Sequence, residues 1–287
     1  MSGLQRSWAI SAQFGASWPV FFEFALGTGS FASVPSLHVE EKEQMKLIVA
    51  QIRPVPGDCE ANIAKHMAAI QQAANLGANL VLFPELSLTG YEPRLADALA
   101  MDASDSRLDE FQQLSDRYGM LIAVGAPTQG REGIEISMIS FQPGQPRTCY
   151  SKQILHADEL PFFTAGSRKL VLNHADVILA PAICYESLQP SHAEEAAQSG
   201  AQVYLASVAK SERGTALAEA HYPMIAEKHS MTVVMANCVG AADDYVAAGR
   251  SAIWNNQGEI LCSADAVQEA LVAYDTQTGE TGVFSLI

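Results

Sequence analysis

The stretch Leu80-Val81-Leu82-Phe83-Pro84-Glu85-Leu86-Ser87-Leu88-Thr89-Gly90-Tyr91 decides the reading of this chain. Four apolar residues that no charge interrupts predict a buried strand over 80–83, and Pro84 ends it. Glu85 then stands just past the strand end, where sites gather in α/β sheets. Upstream, Asp58 is placed to cap a helix on which Ile63, Met67, Ile70 and Ala74 recur along one face until Gly77 stops it. Before that helix, 47–52 reads as an apolar strand, so the order is strand, helix, strand.

The same alternation continues along the chain. A helix marked by Leu108, Phe111, Leu114 and Tyr118 precedes strands over 120–125, 134–141 and 147–151. Further strands are expected over 177–183, 203–207 and 232–236, with helices over 190–199 and 215–230 between them, and Asn255 to Gly258 forms a turn between two late strands. Such alternation predicts a layered α/β domain. Residues 1–44 show no sustained period, and the expectation is an N-terminal extension over 1–44 followed by one domain over 45–287.

Two further strand ends carry chemistry. Tyr150-Ser151-Lys152 sets an amine after an apolar hairpin, and Ala182-Ile183-Cys184-Tyr185-Glu186 sets a thiol after the strand over 177–183. Singly, Glu85 reads as a loop acid, Lys152 as a solvated strand end and Cys184 as a small buried hydrophobe. Together they are a base, a cation and a nucleophile.

Composition bounds the rest. The 287 residues carry 17 Lys plus Arg against 32 Asp plus Glu, a formal charge of −15, so there is no overall basic field to hold nucleic acid or anionic lipid. Hydrophobic residues at 48% and charged residues at 17% exclude disorder and predict a filled core. Five cysteines without C-x-x-C spacing fit neither a disulfide framework nor a zinc site, which points to a cytoplasmic protein with no metal. The uncharged run over 7–22 is broken by Gly15 and Pro19 and is too short to span a membrane. Two other patterns carry little. Gly27-Thr28-Gly29-Ser30-Phe31-Ala32 matches a dinucleotide fingerprint without the βαβ unit it needs, and Ser207-Val208-Ala209-Lys210 fits S-x-x-K without its companion elements.

On its three ordered segments, the chain resembles the nitrilase superfamily of carbon–nitrogen hydrolases over 45–260. The segment from Leu82 to Tyr91 is similar to the family's glutamate motif. Lys152 through Glu159, Phe163 and Gly166 is similar to its lysine motif, and Ile183 to Glu186 to its nucleophile motif; Ala236 to Gly240 adds minor support. The resemblance implies a four-layer α-β-β-α sandwich and a cofactor-free Glu85, Lys152, Cys184 site, with Glu159 as a supporting acid. Glu85 would take the thiol proton and later activate water, and Lys152 with the backbone N–H of Tyr185 would hold the oxyanion.

Relatives acting on carboxylate-bearing amides often show an arginine shortly after the cysteine, where this chain reads Ser187-Leu188-Gln189-Pro190. Leu188-Gln189-Pro190 is similar to true nitrilases, but those usually place Trp after the cysteine and here it is Tyr185. The expectation is an amidase that cleaves a small linear amide to a carboxylic acid and ammonia or an amine through a cysteine thioester. A nitrile hydrolase and a catalytically idle binding protein of the same fold are the alternatives. Lipoprotein acyl transfer and glutamine-fed synthesis are disfavoured, since neither a membrane domain nor an ATP-binding domain is read in the sequence. The expected partners are a small-molecule amide substrate and a second copy of the chain, in a homodimer or larger homo-oligomer.

Overall fold

The computed structural model describes residues 45–286; the extension expected over 1–44, with its Gly27-to-Ala32 pattern, lies outside the described residues. Strand β1 (Lys46–Gln51) is apolar and almost wholly buried, as a strand covered on both faces must be. Helix α1 (Cys59–Asn75) starts where Asp58 accepts a hydrogen bond from the Ala61 N–H at 3.0 Å, and Gly77, at φ +78°, turns the chain out of it. Strand β2 (Leu80–Leu82) follows.

The buried stripe of α1 differs from the apolar one expected. Asn62, His66, Ala69, Ile70 and Ala73 are buried, while Ile63, Met67 and Ala74 are only partly so. Two polar side chains face inward because they have partners there. Asn62 Nδ2 donates to Val55 O at 2.9 Å and Leu88 O at 3.2 Å, and His66 meets the Ser87 hydroxyl at 2.9 Å.

A short helix α2 (Ala96–Leu99) and the helix α3 (Asp109–Tyr118) lead into the antiparallel run β3 (Leu121–Gln129), β4 (Ile134–Phe141) and β5 (Thr148–Ser151). The second half repeats the plan with β6 (Leu172–His174), β7 (Val177–Ile183), α4 (Pro190–Gln198), β8 (Val203–Val208), α5 (Glu212–His229) and β9 (Thr232–Asn237). Helix α5 begins three residues before the expected 215, because Ser211 caps it by accepting from the Gly214 N–H. The chain ends in the hairpin β10 (Val239–Ala242) and β11 (Tyr245–Ala248), then β12 (Ala252–Trp254), β13 (Ile260–Ser263), β14 (Ala270–Asp275) and β15 (Thr281–Ser285).

The strands form a seven-stranded sheet, β15-β14-β1-β2-β3-β4-β5, and a six-stranded sheet, β13-β12-β9-β8-β7-β6. Each has a parallel centre, β1-β2-β3 or β7-β8-β9, flanked by antiparallel strands. Strand β14 returns to pair with β1 from Lys46↔Asp275 to Gln51↔Ala270.

Successive side chains on a strand point to opposite faces, so each central strand feeds two cores. Leu47, Val49 and Leu82 meet Leu179, Leu205 and Val234 between the sheets. Ile48, Val81 and Phe83 pack on the other face with Ile70 of α1 and Phe111 of α3. Tyr204 and Met235 pack outward on Tyr222 and Ile225 of α5. The result is the four-layer α-β-β-α sandwich expected from the resemblance. At the strand ends Ser207 Oγ donates to Phe83 O at 2.8 Å and joins the two sheets, and Val239 N–H of the β10–β11 hairpin donates to Ile52 O at 3.0 Å.

Candidate active site

Glu85 is placed by a tight crossing of backbones. The chain leaves β2 through Phe83 and Pro84, and Leu86 adopts φ +51°, a left-handed conformation that a branched side chain rarely takes. Gly125 of β3 lies directly beneath, and a Cβ there would sit 2.4 Å from both Pro84 O and Leu86 N. The loop is pinned from the helix side by His66. Its Nδ1 must donate to Asn62 O at 2.6 Å, since a carbonyl only accepts, so Nε2 is left to accept from Ser87. Burial holds this imidazole down to about 4, so it is neutral and rigid, stacked on Phe83 with centroids 4.2 Å apart.

Lys152 follows β5 and is held by its own backbone. Its N–H donates to Ile136 O and its carbonyl accepts from Gly166 N–H, both at 2.8 Å. A Cβ on Gly166 would lie 2.4 Å from Ser151 O, which explains a glycine in this segment. The ammonium lies 2.8 Å from Glu85 Oε1 and 2.6 Å from Glu159 Oε1, and none of the three side chains is more than 2% exposed. Glu159 is fixed in turn by the Tyr91 hydroxyl at 3.1 Å and the His156 N–H at 2.8 Å. Burial works against the charge of Lys152, but Glu85, Cys184 and Glu159 outweigh it and raise its pKa above the ordinary lysine value.

Cys184 leaves β7 at φ +45°, with its N–H on Ser207 O at 3.0 Å, so the sulfur stands on a sharp strand-end turn. Glu85 stands beside it. Burial, and then Glu85, push the thiol up to about 11 against the pull of Lys210 and Lys152, so the resting sulfur carries its proton. Burial likewise raises Glu85, despite Lys152, which makes this carboxyl a stronger base than a solvated one. Its Oε2 is buried without a hydrogen-bond partner among the described residues.

A cavity of about 360 Å³ opens over the sulfur, lined by Tyr91, Glu159, Cys184, Tyr185, Lys210 and Tyr245 among others. The Tyr185 ring lies edge-on to His156 with centroids 5.0 Å apart, and its backbone begins the 3-10 turn Glu186–Leu188. All five residues singled out in the sequence, Glu85, Lys152, Glu159, Cys184 and Tyr185, therefore come to one place. Three contributors were not singled out: Tyr91, Tyr245 and Lys210. Tyr91 closes the glutamate motif and Lys210 the S-x-x-K pattern, whereas Tyr245 arrives on a hairpin with no signal of its own. Such an arrangement can move a proton from sulfur to carboxylate and stabilise an anion near Lys152. No helix among the described residues is long and apolar enough to cross a membrane.

Comparison with known proteins agrees with this geometry. The chain is 24% identical over 255 residues to the glutamine-dependent NAD(+) synthetase of Thermotoga maritima, covering 85% of this chain and 44% of that protein. It is 25% identical over 223 residues to an (R)-stereoselective amidase of Pseudomonas sp., covering 77% and 81%. The chain thus spans less than half the length of the synthetases it matches. In fold it is similar to an amidase from Nesterenkonia sp. AN1, solved with the acetamide moiety of fluoroacetamide on its active-site cysteine. That match has a TM-score of 0.74 and 24% identity over 80% of this chain and 90% of that one. The model of the carbon-nitrogen hydrolase family matches residues 46–283, and the chain belongs to that family.

Proposed function

We propose that the protein hydrolyses the C–N bond of a small amide through a thioester on Cys184. The carrying observation is the buried set in which Lys152 bridges Glu85 and Glu159 beside the Cys184 thiol. Glu85 takes the thiol proton as sulfur attacks the amide carbon, and the carbonyl electron pair moves to oxygen, facing Lys152 and the Tyr185 N–H. Collapse of the tetrahedral intermediate expels the amine with the proton returned by Glu85. Water then attacks the thioester, with Glu85 again the base, and the carboxylic acid leaves as the thiol reforms. Glu159 positions Lys152 by holding its ammonium from the far side. The Tyr91 and Tyr245 rings give the cavity an apolar wall, which suits a small uncharged acyl group.

A second reading, favoured by the 24–27% identity to glutamine-dependent synthetases, is release of ammonia from the side-chain amide of glutamine. One experiment separates these and the nitrile alternative: ammonia release from matched aliphatic amides, the corresponding nitriles and glutamine. Fastest release from the aliphatic amides supports the proposal; fastest release from nitriles or glutamine replaces it with the corresponding alternative, and none from any member overturns all three.

A further inference from the structure

The S-x-x-K pattern is split by the fold. Ser207 is buried and spends its hydroxyl on Phe83 O at 2.8 Å, joining the two sheets. Lys210 turns the other way, into the cavity, and stands at Cys184. Its Nζ is 3.4 Å from Cys184 O and 3.8 Å from Cys184 Sγ. The residue is only 4% exposed, yet the ammonium makes no ion pair with a carboxylate among the described residues. Lys152, equally buried, has two. A buried ammonium without a counter-ion is costly, and the group this one faces at 3.8 Å is the Cys184 sulfur, which can become an anion.

Its placement is built rather than incidental. The Asn237 side chain accepts from the Lys210 N–H at 2.8 Å and donates to the Lys210 carbonyl at 3.2 Å, and Ala248 N–H reaches the same carbonyl at 2.9 Å. Gly214 of α5 leaves room for the lysine stem, since a Cβ there would come within 3.2 Å of Lys210 Cβ and 3.4 Å of its Cγ.

We infer that Lys210 is a catalytic residue, the counter-ion of the Cys184 thiolate during attack and during departure of the thioester. The inference rests on the proposed role of Cys184 as nucleophile. Before attack, Lys152 and Lys210 balance Glu85 and Glu159 in charge. When the thiol proton passes to Glu85, Lys152 is left paired with Glu159, and the new anion on sulfur faces Lys210. The set is neutral in sum at both stages, and Lys210 gains its own counter-ion only when the proton has left sulfur. Among the described residues, the other titratable groups near the sulfur are the phenols Tyr91, Tyr222 and Tyr245 and the thiol of Cys238, none of them a cation.

The test compares alkylation of Cys184 by neutral iodoacetamide and anionic iodoacetate, followed by peptide mass at constant pH. Lys210→Met is expected to slow the iodoacetamide reaction about tenfold or more, because the thiolate fraction falls, and Lys210→Arg to restore most of the rate. Lys210→Gln is expected to be as slow as the methionine variant and serves if that variant does not fold. An unchanged iodoacetamide rate in Lys210→Met or Lys210→Gln overturns the inference. Slowing confined to iodoacetate also overturns it, in favour of a lysine that binds an anionic part of the substrate. Absence of Cys184 labelling in the unsubstituted chain would instead defeat the nucleophile assignment itself.

Discussion

The Glu186 carboxylate accepts the backbone N–H of Gln153 at 2.7 Å, so the turn that follows Cys184 is tied to the residue that follows Lys152. The same buried group also takes the N–H groups of Ile183 at 2.8 Å and Ile154 at 3.2 Å, and the Tyr150 hydroxyl at 2.8 Å. One side chain therefore sets the spacing between the seven-stranded sheet, which carries Lys152, and the six-stranded sheet, which carries Cys184.

Removing that acceptor leaves buried donors unpaired, at about 1–3 kcal/mol each. Glu186→Ala is expected to lower stability by about 3 kcal/mol or more, and to depress activity at temperatures where the chain remains folded. Glu186→Gln is expected to fall between, because its amide can keep one accepting oxygen. Urea unfolding checks this, and a loss of under about 0.5 kcal/mol, the size of an ordinary surface change, would contradict it.

Lys152→Ala is expected to cost about 2.7–4 kcal/mol in kcat/KM, the size of one lost oxyanion donor. Glu85→Gln keeps the shape of the side chain but cannot accept the thiol proton, so both half-reactions are expected to stop while the fold survives. Steady-state kinetics with circular dichroism on each variant separates lost chemistry from lost structure. Retention of more than half the turnover in Glu85→Gln would exclude it as the base.

Gly125→Ala forces a methyl against the backbone on either side of Glu85, where no flexible side chain can yield. The expected outcome is a loss of about 1–3 kcal/mol in stability, with a fall in kcat from the displaced carboxylate. Thermal unfolding and kinetics together test it; a variant unchanged in both would mean that the crossing is looser than the structure shows.

The sequence made the layers and the candidate trio legible for a physical reason: the central strands β2 and β7, covered on both faces, read as apolar runs that Glu85 and Cys184 follow, whereas Lys152 follows the edge strand β5 and is marked by its place among the three ordered segments. What stayed hidden depends on contacts between distant segments. Asn62 and His66 read as the outward face of α1 because their partners, Val55, Leu88 and Ser87, lie elsewhere in the chain. The S-x-x-K pattern carries little by itself because Cys184, 26 positions from Lys210, supplies the meaning of the lysine's charge. The strands β10, β11, β14 and β15 were not assigned, since β14 is set by pairing with β1 from the other end of the domain.

His66 makes stability depend on pH. Its folded pKa lies near 4, below the ordinary 6.5, so only the unfolded chain takes up the proton between those values. The stability it supports is present above 6.5 and is lost as pH falls toward 4, by about 3 kcal/mol at most. Urea unfolding at pH 7 and pH 5 should show this loss in part, and His66→Gln should flatten the slope. A native chain equally stable at both values would contradict the buried neutral ring.

The most direct test is the mass of the Cys184 peptide after rapid mixing of the unsubstituted chain with the amide that releases most ammonia, followed by an acid quench that preserves thioesters. A thioester intermediate predicts a gain equal to the acyl group on Cys184, absent from the peptides of Cys59, Cys149, Cys238 and Cys262, and no ammonia release by Cys184→Ala. An unmodified Cys184 peptide during turnover, together with full ammonia release by Cys184→Ala, would contradict it.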